Sequence, residues 1–382
     1  MKRNIVLLSS YSRESAAKEK QYRAAADALN LQVADYPDSN TLGVFACSDF
    51  RSVDAANLAA LHGVAGPEVL ATMIATQKSL AYRFFAQRGF STLWAHAPLR
   101  AEDLKLDVSY AIIVKPDKGS GSFAEHPWAY QRYESLRHFH DWLVERELLD
   151  AFLAYQNDPN SWYGRYLTME YIDDSDVYTA AAVAGPESIA VYEGGRLRFT
   201  RDTLQCEWML IGDRHPRHEQ ISRMIQALFD IGLRQSVIYI QCVEKNGQLC
   251  AIDINLRPGT MPDRAFHGLG LPYYRAALAY MLGMADTLDF TWVAPYVGIR
   301  RAVLPLEHGR RKVQFGAGCV PLIEEVAYDS NRPFDLGHAW PMFAVSGQDG
   351  AHCARLAESL VREMRLSSLA PSDASVRRTD SL

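Results

Sequence analysis

At 382 residues the chain is too long for one small core, and its 48% hydrophobic and 22% charged residues suit a globular protein of two or three packed units. A net charge of −5 gives no general attraction to nucleic acid or an anionic membrane, so neither is expected as a partner, and no apolar run reaches membrane-span length. Six cysteines (Cys47, Cys206, Cys242, Cys250, Cys319, Cys353) lack metal-ligand or CxxC spacing, which argues against zinc and a disulfide framework and for free thiols in a reducing cytoplasm. Ile5 to Leu8 is too short for the apolar core of a signal peptide, and Asn4 to Leu8 reads instead as a first buried strand. An Ala-rich amphipathic helix is predicted for Ser15 to Leu29, then strands for Leu31 to Tyr36 and Gly43 to Cys47. This alternation implies a small parallel sheet with helices on its faces. Ala55 to His62 reads as a helix, and one longer helix is predicted from Gly66-Pro67 to about Gln87, with Gly89 as its stop. Residues 98–172 read as an inserted subdomain: strand Ala111 to Val114, a Gly/Ser loop, helical spacing over Tyr130 to Leu149, and strand Leu167 to Tyr171. Residues 173–300 are β-rich, with a helix from Arg217 to Asp230, a hairpin turning at Asn246-Gly247 and a helix from Pro272 to Leu282. A smaller αβ lobe follows over 301–366, and 367–382 is a polar, Ser-rich tail expected to be disordered.

Three segments carry chemistry. Ala251 to Gly259 sets Asp253, Asn255 and Arg257 two residues apart along an apolar strand, so the three share one face. An oxygen-rich row beside a fixed cation suits a Mg²⁺-nucleotide site; taken alone, the stretch is equally a strand with a solvated face. A strict two-residue turn at Asn246-Gly247 would pair Ile240 with Asp253 and point Gln241 away, whereas one bulged residue brings Gln241 to the Asp253 face. Lys115 to Ser122 runs a strand into a loop whose Gly119, Ser120, Gly121 and Ser122 offer backbone and hydroxyl donors to phosphate beside lysine. It departs from the common phosphate-loop pattern because the lysine precedes the glycines, and a polar hairpin turn is the alternative. Leu167 to Asp176 ends a strand in a cluster of acids, which suits a purine edge and ribose or simply a solvated turn.

In this order, the three segments and Lys78 in Ala75-Thr76-Gln77-Lys78 resemble the ATP-grasp superfamily, and by length the carboxylate-amine ligases that include the L-amino acid (dipeptide) ligases. The resemblance covers about residues 1 to 366. It implies an α/β ATP-grasp fold: a βαβ pre-ATP-grasp domain at 1–97, a mobile lid subdomain at 98–172, an α+β core with the metal and substrate site at 173–300, and the lobe at 301–366. It further implies that Lys78 and Lys115 contact ATP phosphates under a lid loop of Gly119 to Ser122. Met169, Glu170, Tyr171 and Ile172 would border adenine, and Asp176 the ribose. Gln241, Asp253 and Asn255 would hold Mg²⁺, as one ion or two, and Arg257 would steady an acyl phosphate. Ala124, Leu256 and Gln241 depart from the family pattern; Gln241 stands where an acid is usual, which weakens charge neutralisation at a second metal.

Arg264 and His267 are expected on a loop after Gly259, bordering the substrate pocket with Arg257 and Gly259. His138 and His140, two apart on a predicted helix, do not share a face and are not expected to bind a metal. The implied reaction joins a small-molecule carboxylate, expected to be that of an amino acid, to an amine through an acyl phosphate, with Lys115 and Arg257 catalytic and ADP and phosphate released. A biotin-carboxylase-like activation of bicarbonate and a non-catalytic nucleotide-binding protein are the alternatives. The expected setting is the cytoplasm, and the reading is compatible with a homodimer.

Overall fold

The computed structural model describes residues 2–10, 13–118, 126–161, 164–173, 176–199, 206–301, 309–315, 317–323, 325–328 and 341–368. Its first unit is a parallel three-stranded sheet, with Asn4–Leu8 between Gln32–Ala34 and Thr41–Ala46. Ile5, Val6 and Val44 are buried on it. Ala25 and Ala26 of helix Arg13–Ala28, and Ala55, Ala56 and Ala59 of helix Ser52–His62, are small enough for close helix packing.

The single helix predicted up to Gln87 is two helices, Val69–Thr76 and Lys78–Gln87, interrupted at Gln77 (φ −118°, ψ 114°). The interruption is made from elsewhere in the chain. Gln77 bridges Lys118, the Lys78 N–H donates to the Asp117 carbonyl at 2.9 Å, and the Asp117 carboxylate accepts from the Ser79 N–H and hydroxyl, both at 2.8 Å. Asp117 thus satisfies donors at the second helix's start that its own sequence leaves open.

An antiparallel four-stranded sheet follows, ordered Ala95–His96, Tyr166–Glu170, Ile112–Pro116, Arg132–Tyr133. Ile112, Val114, Phe139, Leu143, Phe152 and Tyr166 make its core. The helix expected over Tyr130 to Leu149 is shorter. Tyr130 takes φ 55°, Arg132–Tyr133 is a strand, and helix Leu136–Glu145 starts where the Ser135 hydroxyl accepts the His138 N–H at 3.1 Å. Glu147 at φ 56° ends it, and a further helix runs over Leu149–Asn157.

The largest sheet has eight strands in the order Gln248–Asn255, Ser236–Lys245, Val177–Ala184, Ile189–Phe199, Cys206–Ile211, Tyr296–Arg301, Met342–Gly347, Val320–Ile323. Ala180, Ala182, Ala184, Ile238, Ile240 and Ile254 pack one face against helix His218–Asp230. By the two-residue period, Thr179, Ala181, Tyr239, Gln241, Asp253 and Asn255 turn to the other face. Helix Gly350–Glu363 covers the far strands. Strand Arg365–Ser368 pairs with Gly309–Gln314, so residues 367 and 368 of the expected tail lie in a sheet; the remainder of that tail lies outside the described residues.

Candidate active site

The hairpin from Ser236 to Asn255 sets the site's register. Lys245 pairs with Gln248 at the turn, but beyond a bulge Gln241 pairs with Asp253 and Tyr239 with Asn255. The extra residue is Ile252, whose carbonyl accepts the Tyr82 hydroxyl at 3.1 Å. Tyr82 also lies 3.7 Å from the Met169 sulfur, so one buried phenol ties the bulge to the strand that ends in Glu170. Cross-strand partners share a face, which brings Gln241, Asp253 and Asn255 together.

Two lysines from separate elements approach this row. Lys78, at the start of the displaced helix and only 6% exposed, places Nζ 3.2 Å from Asp253 Oδ1. Lys115, on the four-stranded sheet, has its ammonium pushed down to about 8, chiefly by burial; Asp253 raises it and Lys78 lowers it further. Both ammoniums thus lie within electrostatic reach of the Asp253 carboxylate. Asn255 donates to Asp253 Oδ2 at 3.3 Å, and its own Oδ1 is buried without a hydrogen-bond partner among the described residues. That carbonyl, the Asp253 carboxylate and the Gln241 amide are hard oxygen donors. Among the described residues no three His, Cys, Asp or Glu side chains gather round a metal position. The set fits one divalent cation that takes its remaining ligands from phosphate and water, and it is poor in charge for two.

Arg257 is fixed by a residue with no sequence signal. Asp49 accepts from Arg257 Nε and from the Leu256 N–H, each at 2.8 Å, while the guanidinium also donates to the Pro258 carbonyl at 3.0 Å. Asp49 is 4% and Arg257 12% exposed, so the pair is held largely out of water. Gly259 follows, and a Cβ there would lie 2.9 Å from Tyr239 Cζ, which explains the absence of a side chain.

Other expected residues fall as follows. Glu170 is buried, its carboxylate 2.6 Å from Lys245 Nζ. The N–H groups of Glu170 and Tyr171 bond the carbonyls of Trp94 and Ala111, so neither is open to a base in this arrangement; Met169 is buried and Ile172 half-buried. Asp176 lies 2.9 Å from Arg196, which also pairs with Asp213 at 2.6 Å. Gly119, Ser120, Gly121 and Ser122, with Ala124, lie outside the described residues. Arg264 and His267 are on helix Thr260–Gly268 and not on a loop. Pro262 sits in the helix's first turn, where its missing N–H costs nothing. His267 is exposed with Nδ1 3.3 Å from Gln21 Nε2, so the structure does not group it with the Asp253 row.

Asp49, Tyr82, Asp117 and Lys245 were missed because each acts on a partner far along the chain.

No family model matches the chain, and no curated protein matches it in sequence. In structure it is similar to an L-amino acid ligase from Bacillus licheniformis, with a TM-score of 0.70, 12% identity, and coverage of 96% of this chain and 99% of that one. It is also similar to N5-carboxyaminoimidazole synthetase from Staphylococcus aureus complexed with ADP (TM-score 0.66, 10% identity, 94% and 98% covered). A third similar structure is the biotin carboxylase β-γ-ATP complex from Campylobacter jejuni (TM-score 0.64, 13% identity, 96% and 92% covered). The chain has the ATP-grasp fold.

Proposed function

We propose that this protein is an ATP-dependent ligase that activates a carboxylate as an acyl phosphate and couples it to an amine, releasing ADP and phosphate. The observation that carries the reading is the approach of Lys78 and Lys115 to the carboxylate of Asp253, beside Gln241 and Asn255. Ammonium groups withdrawn from water beside an oxygen row suit a polyphosphate held with a metal ion. The neighbours complexed with ADP and with ATP support a nucleotide as that polyphosphate.

In this reading Lys78 and Lys115 hold the phosphates while a carboxylate oxygen attacks the γ-phosphorus in line. Gln241, Asp253 and Asn255 would hold Mg²⁺, which when bound neutralises charge on the phosphates. Arg257, set by Asp49, would face the acyl phosphate and then the oxyanion formed as the amine attacks, where a fixed donor shielded from water acts strongly. Residues 98–172 would act as a lid over the nucleotide, with residues 1–97 and 173–300 as its walls and 301–366 as a flanking lobe.

Asp253→Asn tests the reading. It removes the formal negative charge of the oxygen row, so ADP release in the presence of Mg²⁺, a carboxylate and an amine should drop at least about 100-fold with the folded state retained by circular dichroism. Turnover within about threefold of wild type would remove Asp253 from the reaction.

A further inference from the structure

Outside the residues used so far, the most anomalous group is Glu193. It lies on strand Ile189–Phe199, is 1% exposed, and neither carboxyl oxygen has a hydrogen-bond partner among the described residues. Such a group is costly to bury and calls for an explanation. Its position supplies one. Asn255 pairs with Tyr239, Tyr239 with Ala181 and Ala181 with Glu193, so Glu193 lies in the same cross-strand row, and on the same face, as the oxygen donor Asn255. Three interstrand steps put the two backbones roughly 14 Å apart. Tyr239 and Ala181 stand between them, with Thr179 and Gly195 in the next row.

The groups electrostatically near Glu193 are phenols: Tyr192 on its own strand, Tyr239 in its row and Tyr273 from helix Tyr273–Met281. Each is raised well above the ordinary tyrosine value, chiefly by burial, and so stays uncharged. A lone carboxyl among neutral aromatic rings matches a primary ammonium, which gains from both the charge and the ring faces.

We propose that Glu193 receives the ammonium group of the amine substrate and takes its first proton. The inference rests on the ligase reading and names the acceptor as a primary amine that arrives charged. The N–H bond to Glu193 breaks, leaving the nitrogen lone pair to form the C–N bond at the acyl carbon. The C–O bond to phosphate then breaks, the departing phosphate takes the second proton, and Glu193 returns its own to solvent. Burial pushes the Glu193 carboxyl up to about 8, so the empty site holds it largely as the acid near neutral pH; an arriving ammonium favours the carboxylate, whose proton passes to solvent before the ammonium's proton is taken.

The test compares wild type with Glu193→Gln, an isostere that removes the charge without opening a cavity. With ATP, Mg²⁺ and an equimolar mixture of the protein L-amino acids, amide formation should drop about 100-fold or more. Hydroxamate formation with hydroxylamine, a nucleophile already uncharged at neutral pH, should stay within about twofold, because no proton need be taken before attack. Unchanged amide formation, or hydroxamate falling in step with amide, would overturn the role. If wild type forms neither amide nor hydroxamate, the ligase reading fails, and the Glu193 assignment is then decided by melting of the MgATP-loaded protein with glycinamide. A rise in wild type that Glu193→Gln lacks supports an ammonium site, and equal shifts refute it.

Discussion

Lys115 and Arg257 differ in how their charge is held, and the difference leads to separate tests. Burial, opposed by Asp253 and aided by Lys78, lowers the Lys115 ammonium from 10.5 to about 8. Between those values the unfolded chain binds the extra proton, so this residue's burden on the fold eases as pH rises through that window. Nucleotide affinity should move the other way. A bound polyphosphate favours the charged form, so ATP affinity should hold below pH 8 and fall by up to ~10-fold per unit above it, with proton uptake on binding. Calorimetry in buffers of different ionisation enthalpy reads both, and Lys115→Met should weaken binding about 10-fold or more and remove the step. Equal affinity for wild type and variant would place Lys115 outside the site. Arg257 depends on Asp49 for direction. Asp49→Asn should lower kcat by about 10-fold to 100-fold with the KM for ATP little changed, since the aim of the guanidinium is lost and the lysines proposed to hold phosphate are untouched. A rise in KM for ATP with kcat preserved would contradict that assignment.

Among the elements, the interrupted helix at Gln77 does most to assemble the site, because it turns Lys78 toward Asp253. Asp117→Ala removes the acceptor of two Ser79 donors and should lower stability by about 1–2 kcal/mol. It should also weaken ATP binding through Lys78, although residue 117 need not touch nucleotide. Denaturant melts with and without ATP separate the two effects, and an unchanged ATP-induced shift would show that Lys78 is placed without Asp117. The same element marks the limit of what the sequence discloses. The hairpin bulge was legible because Asn246-Gly247 fixes the turn, and the polar residues on both strands then demand one face. The break at Gln77 was not, because its cause lies some forty residues away in Asp117 and Lys118. Ser135 carried a local capping signal hidden within aromatic residues of helical spacing. For Arg264 and His267 a loop was expected after Gly259, but a helix starts at Thr260 and holds Pro262 in its first turn. Glu193 gave no signal at all, since its significance comes from a cross-strand row and from donors that are missing.

At the scale of the molecule, the site exists only where separate units meet. Asp49 and Lys78 come from the first hundred residues, Lys115 from the four-stranded sheet, and Gln241, Asp253 and Asn255 from the edge hairpin of the large one. Segments far apart in sequence thus converge on a single oxygen row, an arrangement suited to gripping one ligand from several sides and shutting out water. Exclusion matters because an acyl phosphate exposed to water is lost to hydrolysis. The central claim is that the carboxylate oxygen attacks the γ-phosphorus, and isotope transfer tests it most directly. With carboxylate-¹⁸O amino acids, ATP, Mg²⁺ and an amine acceptor, the account predicts ADP together with inorganic phosphate carrying one ¹⁸O atom from each activated carboxylate. Pyrophosphate with the label in AMP, or ADP with unlabelled phosphate, would contradict it.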